Sequence, residues 1–184
     1  MTRIFFTLAV FSLALVAAAM FLGLSMGGLH GDVDVQTLRW ATVHRLTGVA
    51  AALAVVFVNS IVVTYFIGTS RWCKEVVETY RLDRAFVVES NQLKRGAFPW
   101  ALAGVLAIVG VIALGAAADP GTGRPGTENW VNIHLYGALV GLALIAYAYF
   151  RQWNQIEVNH ALIQRIMAEV ARIRAERGLE TERP

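Results

Sequence analysis

The chain has 184 residues, of which 57% are hydrophobic and only 16% charged. A soluble domain carries about 25% charged residues; here the mean hydropathy is +0.54, and the apolar residues fall in blocks long enough to span a bilayer, which excludes an ordinary water-facing core. The net charge of +3, with no basic patch among aromatics, gives no case for nucleic acid, and the single cysteine, Cys73, excludes an internal disulfide or a cysteine-based zinc or iron–sulfur site.

The first apolar block runs from Ile4 to Met26. It is too long for a signal-peptide core, and no small-x-small cleavage site follows, so it reads as a first span. A short polar connection, Gly27 to Arg39, leads to a second span at 40–67. A charged segment, 68–96, comes next. The third span covers 98–118, the Gly/Pro-rich stretch Asp119 to Asn129 forms a loop, and the fourth span covers 130–150. In lipid each span must be helical, because only a helix satisfies its own backbone there. Trp40, Trp100, Trp130 and Trp153 stand at span ends, where indole prefers the headgroup layer. Asn59 and Ser60, mid-span, are expected to bond across helices.

Arg3, the middle segment and the tail hold thirteen of the sixteen Lys and Arg residues. That bias puts both termini and the middle segment in the cytoplasm, with a bacterial inner membrane as the expected setting. The middle segment reads as one or two amphipathic helices on the cytoplasmic surface, with Ser70 and Asp83 as N-caps and Trp72, Val76, Val77 and Tyr80 on one apolar face. In the tail, Ile156, Ile163, Ile166, Val170 and Ile173 form a heptad-like seam, which suits either self-association or docking on the middle segment. Glu180 to Pro184 are expected to fray.

Two stretches carry the chemistry. Trp40 to Gly48 reads WATVHRLTG, and Trp130 to Gly137 reads WVNIHLYG. Each has Trp-x-x-x-His at the start of a span and a glycine about one turn further in. An ionisable side chain within a span signals function by default. Four spans with both termini on one side bring His44 and His134 level near the outer face. No carboxylate or cysteine accompanies them inside the spans, so a closed four-ligand zinc site cannot be built. A haem needs only two axial imidazoles, since the porphyrin supplies the other four ligands. Beneath His44 lie Gly48, Ala51 and Ala52, and beneath His134 lie Gly137, Ala138 and Gly141, as a slot for a flat macrocycle requires. Arg45 is placed to pair with a propionate, and the Trp40 and Trp130 carbonyls to accept the Nδ1 protons, leaving Nε2 for iron. Small-x-x-x-small spacing is also what close helix packing uses. His30 and His160 lie outside the spans and receive no role.

His44-Arg45-Leu46-Thr47-Gly48 resembles the haem A synthase family, each half of which is a four-helix bundle with haem-binding histidines at the starts of its second and fourth helices. Residues 4–150 are similar to one such half. The long outer loop with a carboxylate and a cysteine pair is absent, so the resemblance implies a haem-binding bundle rather than a haem-oxidising enzyme. The same five residues more weakly resemble the succinate dehydrogenase cytochrome b anchor, although Ala41 stands where that signature has serine.

The expected fold is an all-α membrane protein: a four-transmembrane-helix bundle of two pseudo-repeated hairpins (residues 1–150), with cytoplasmic amphipathic helices and a helical tail (151–184). Leu13-Ala14-Leu15-Val16 matching Leu106-Ala107-Ile108-Val109 supports the repeat. The expected function is that of a small b-type cytochrome with one bis-histidine haem b, an electron-transfer protein or complex subunit rather than a stand-alone enzyme. Its site residues are His44, His134, Arg45, Gly48, Gly137, Trp40 and Trp130. Expected partners are the lipid bilayer, a quinol or extracytoplasmic electron carrier, and proteins docking on helices 70–95 and 151–178. The alternatives are a haem-free structural subunit and a pigment-binding or haem-modifying protein.

Overall fold

The structure, a computed structural model, describes residues 1–178. Residues 179–184, which include the end expected to fray, lie outside the described residues. Four long helices make up the fold: α1 (Thr2–Ser25), α2 (Val35–Tyr80), α3 (Ala85–Ala118) and α4 (Val131–Glu176). Each contains a stretch long and apolar enough to cross a membrane. Two short 3-10 turns, Pro120–Thr122 and Thr127–Trp130, punctuate the α3–α4 connection. Each helix packs on its neighbour in the order α1, α2, α3, α4 and back to α1, so α2 and α4 stand diagonally across the bundle.

Local chemistry fixes the helix ends. Asp34 caps α2: its carboxylate accepts the Thr37 N–H at 2.9 Å and the Thr37 hydroxyl at 2.8 Å. These bonds, the backbone one foremost, hold the Asp34 carboxyl below its ordinary pKa. The helix stops at Arg81, which adopts the left-handed conformation (φ 55°) and returns its N–H to the Val77 carbonyl. Asp83, expected as the N-cap of this segment, stands one residue earlier: Arg84 holds the cap position without a side-chain bond, and the Asp83 carboxylate accepts the Ala85 N–H at 2.8 Å as α3 begins.

The structure differs from expectation beyond the apolar spans. Segment 68–96 does not form separate surface helices. It is the unbroken continuation of α2 and α3, turning only at residues 81–84. Nothing before Tyr80 stops α2: Gly68 costs only about 1 kcal/mol in a helix interior, and Ser70, expected as a cap, lies mid-helix with its hydroxyl near Ser90 and Asn91. Pro99 sits inside α3 without ending it. Likewise α4 runs through Arg151 to Glu176, so no break separates a tail at residue 150. The three extensions pack into a stalk around Cys73, Val77, Leu82, Leu162, Ile166 and Val170, with Trp72, Phe86 and Ile173 against them. The seam of the tail therefore docks on the middle segment, and an Arg165–Glu89 ion pair joins α4 to α3 there.

Within the apolar part the core is a column of residues at helical spacing. It comprises Phe5, Ala9, Ser12 and Val16 on α1, Val55, Val58 and Val62 on α2, Ala97, Ala101 and Ile108 on α3, and Ile145, Ala148 and Tyr149 on α4. Two polar pairs cross it. Gln152 Nε2 donates to Asn59 Oδ1 at 2.9 Å, and the Ser12 and Tyr149 hydroxyls lie 3.0 Å apart. Asn59 thus bonds across helices as expected. Ser60 instead donates to the Val56 carbonyl of its own helix.

Ile166 is fully buried in the stalk. Truncation there, Ile166→Ala, should cost roughly 2–4 kcal/mol. Hydrogen exchange in detergent should quicken together in residues 70–95 and 160–173 and stay unchanged in α1. Faster exchange confined to α4 would show that the stalk does not open as a unit.

Candidate cofactor site

His44 lies on α2 about two and a half turns after its start, and His134 in the first turn of α4. Both are half-buried and point inward from diagonal helices, so their rings meet across the bundle axis. The ring centroids are 6.3 Å apart, with ring planes at 72°. Around them, at the end of the bundle that carries the α1–α2 and α3–α4 connections, is a cavity of about 460 Å³. That size falls among cofactor clefts, which run from about 300 to 1,000 Å³. Its walls are mainly aliphatic: Val16 and Met20 of α1, Val49 of α2, Ile108 and Ile112 of α3, and Leu135 of α4.

Each imidazole lies against the helix that precedes its own, and that of His44 is bonded to it. His44 Nδ1 lies 2.8 Å from the Ala19 carbonyl of α1. A carbonyl can only accept, so Nδ1 carries a proton, which in the neutral ring leaves the lone pair on Nε2. Gly23, one turn beyond Ala19, passes directly behind the ring; a Cβ there would sit 3.0 Å from His44 Cε1. On the other side, a Cβ on Gly115 of α3 would sit 3.0 Å from His134 Cε1. On this second ring no counterpart of the Ala19 bond forms, and Nδ1 of His134 is buried without a hydrogen-bond partner among the described residues.

The residues expected from sequence divide. His44, His134, Arg45 and Gly48 line the cavity, with Ala51 and Ala138 below them. A Cβ on Gly48 would meet nothing within 4 Å, so this glycine does widen the slot. Gly137 does not. A Cβ there would collide with Leu114 Cδ1, and one on Gly141 with Val111 Cγ2, so both serve close packing of α4 on α3. Trp40 and Trp130, 46% and 43% exposed, lie outside the cavity. The Trp40 carbonyl does not orient His44 either. In an α-helix it belongs to the N–H of residue 44, and the ring reaches across to α1 instead.

Several site residues carry no motif. Gly23 and Gly115 each follow a leucine near the far end of the first and third spans, the one sequence signal they give. His30, in the α1–α2 connection, also lines the cavity and is hydrogen-bonded through Nε2 to the Thr127 hydroxyl at 3.0 Å. Arg45 makes a two-pronged pair with Asp119, Nε to Oδ2 at 2.8 Å and Nη2 to Oδ1 at 3.0 Å. Both of these contacts join one hairpin to the other at the cavity mouth. Among the described residues no cluster of three or more His, Cys, Asp or Glu side chains is arranged to hold a metal. Compared with protein-family models, curated proteins and solved structures, the chain matches none.

The hold of α1 on His44 can be tested directly. In ¹H–¹⁵N spectra of histidine-labelled protein, His44 should show a protected Nδ1–H. Gly23→Val should abolish that signal by pushing the ring off Ala19, and Gly115→Val should leave it in place. An unprotected Nδ1–H in the unsubstituted protein would contradict the Ala19 bond.

Proposed function

We propose that this protein is a membrane-embedded b-type cytochrome. It holds one haem between His44 and His134 near the outer face and passes single electrons, within the membrane or as a subunit of a redox complex. The observation that carries this reading is the 6.3 Å between imidazole centroids across an apolar cavity. A ring nitrogen lies ~1.1 Å from the ring centre and a metal–imidazole bond is about 2 Å, so two imidazoles on opposite sides of one metal have centroids about 6 Å apart.

The rest of the donor set fits. Two imidazoles with no third protein ligand among the described residues suit a metal that brings its other four ligands in a porphyrin. The Ala19 carbonyl fixes the His44 tautomer with Nε2 free, the usual support of a metal-bound histidine. His134, whose Nδ1 lacks a partner, has an imidazole that a metal bond would anchor. When bound, a bis-histidine haem supplies a one-electron couple with no open iron position. The chain's part is to hold the two rings level, to keep water out with aliphatic walls, and to present Arg45 to a propionate.

We also read the bundle as an internal duplication. Buried Phe5, Ala9, Ser12 and Val16 correspond to buried Ala97, Ala101, Gly104 and Ile108, a constant offset of 92 (5 to 97). Ala51, Val55, Val58, Asn59 and Val62 correspond to Gly141, Ile145, Ala148, Tyr149 and Gln152, an offset of 90 (51 to 141). The same offsets carry Ala19 to Val111, Gly23 to Gly115, and His44 to His134. On this register the match of Leu13–Val16 with Leu106–Val109 is one residue out, a rotation of about 100° on a helix. The placing of Lys and Arg supports a cytoplasmic stalk and an outward cavity mouth. A membrane quinol and an extracytoplasmic carrier are the redox partners this implies. The likeness to half of haem A synthase supports haem binding and not that enzyme's oxidation.

A haem-free structural subunit is the competing reading, favoured by the tight glycine packing at Gly137 and Gly141. Detergent-extracted protein from haem-replete cells should be red, with a Soret band that moves on reduction. His44→Ala and His134→Ala should each lose it. A colourless preparation favours the structural subunit, and magnesium-pigment bands favour a pigment-binding or haem-modifying protein.

A further inference from the structure

We propose that His30 is a carboxylate-binding residue at the cavity mouth, holding a free propionate arm of the tetrapyrrole, with Thr127 as its positioning residue. The inference rests on the haem reading above. His30 belongs to the glycine-rich α1–α2 connection, between Gly28 and Gly31, a segment with little stiffness of its own. Yet its ring lines the same cavity as His44 and His134 and is tied at 3.0 Å to Thr127 of the opposite hairpin. Thr127 is itself buried and opens the 3-10 turn that feeds α4. The imidazole is thus clamped between the two hairpins.

The charges at the mouth say what it is clamped for. Apart from the two level histidines, the side chains lining the cavity are polar only at His30, Arg45 and Asp119. The guanidinium of Arg45, presented to one propionate, is shared with the Asp119 carboxylate. A ligand with two carboxylates therefore needs a second nitrogen donor, and His30 is the one side chain of the described lining left to supply it. With Nε2 on Thr127, Nδ1 of His30 makes no hydrogen bond among the described residues. With Nε2 accepting the Thr127 hydroxyl, Nδ1–H is free to donate to a carboxylate. The ligand class is then a tetrapyrrole with free acid side chains, not an esterified pigment.

The test is a Soret titration of detergent-solubilised apoprotein with haemin and with haemin dimethyl ester, whose carboxylates are blocked. The unsubstituted protein should bind haemin roughly tenfold more tightly than the ester, as one charge-assisted hydrogen bond at a partly wet site allows. His30→Leu should weaken haemin binding several-fold, closing part of its gap to the ester, and leave ester binding, and its bis-imidazole spectrum, unchanged. Thr127→Val should fall between. Unchanged haemin affinity in His30→Leu overturns the proposal, as does an equal loss for both ligands, which marks a structural role. If the unsubstituted protein binds both ligands equally and His44→Ala abolishes both, haem binding stands and the carboxylate site alone fails. If it binds neither, both readings fall.

Discussion

Contact between helices in this bundle depends on where side chains have been taken away. In lipid there is no water to drive apolar surfaces together, so association relies on close van der Waals fit. What each glycine faces decides its effect. Opposite an aliphatic side chain, as at Gly137 and Gly141, it lets α4 settle onto α3. Opposite an imidazole, as at Gly23 and Gly115, it lets the preceding helix lie directly against a ring. Opposite nothing, as at Gly48, it leaves the open volume that becomes the cavity. One residue type thus does three jobs within two turns, and the site exists because they occur at the same depth.

That economy also explains what the sequence could and could not reveal. The four apolar helices were legible because length and hydropathy are properties of a segment taken alone. So was the pairing of His44 with His134, two rare residues at matching places in alternate spans, whose ring centroids stand 6.3 Å apart. The glycines were not. Gly48 lies four residues past its histidine and Gly137 three, which places them about 40° and about 60° to opposite sides of it on a 3.6-residue helix. Read as equivalent, they are on different faces. The residue that matches Gly48 at the cavity is Ala138. Gly23 and Gly115 were missed for a related reason: they act on a ring carried by another helix, and spacing along one helix says nothing of its neighbour.

The stalk was misjudged because its composition changes while its conformation does not. Charges such as Arg71, Lys74 and Glu75 mark where α2 leaves the apolar zone, and a change of solvent resembles a change of element when only letters are read. In the fold those charges pair along their own helix, Arg71 with Glu75 at 3.0 Å, while Cys73 and Val77 continue the buried face onto α4. The helix keeps its axis and only its surroundings change.

One mechanical consequence follows from that continuity. α2 and α4 each run 46 residues without proline, rods of about 69 Å at ~1.5 Å per residue. Each carries an imidazole near one tip and stalk residues near the other. α3 has Pro99 part-way along as a point of give, and α1 stops short of the stalk altogether. The two opposed rings and the far end of the stalk are therefore carried on the same two uninterrupted helices, while of the helices behind the rings one carries a proline and the other does not reach the stalk.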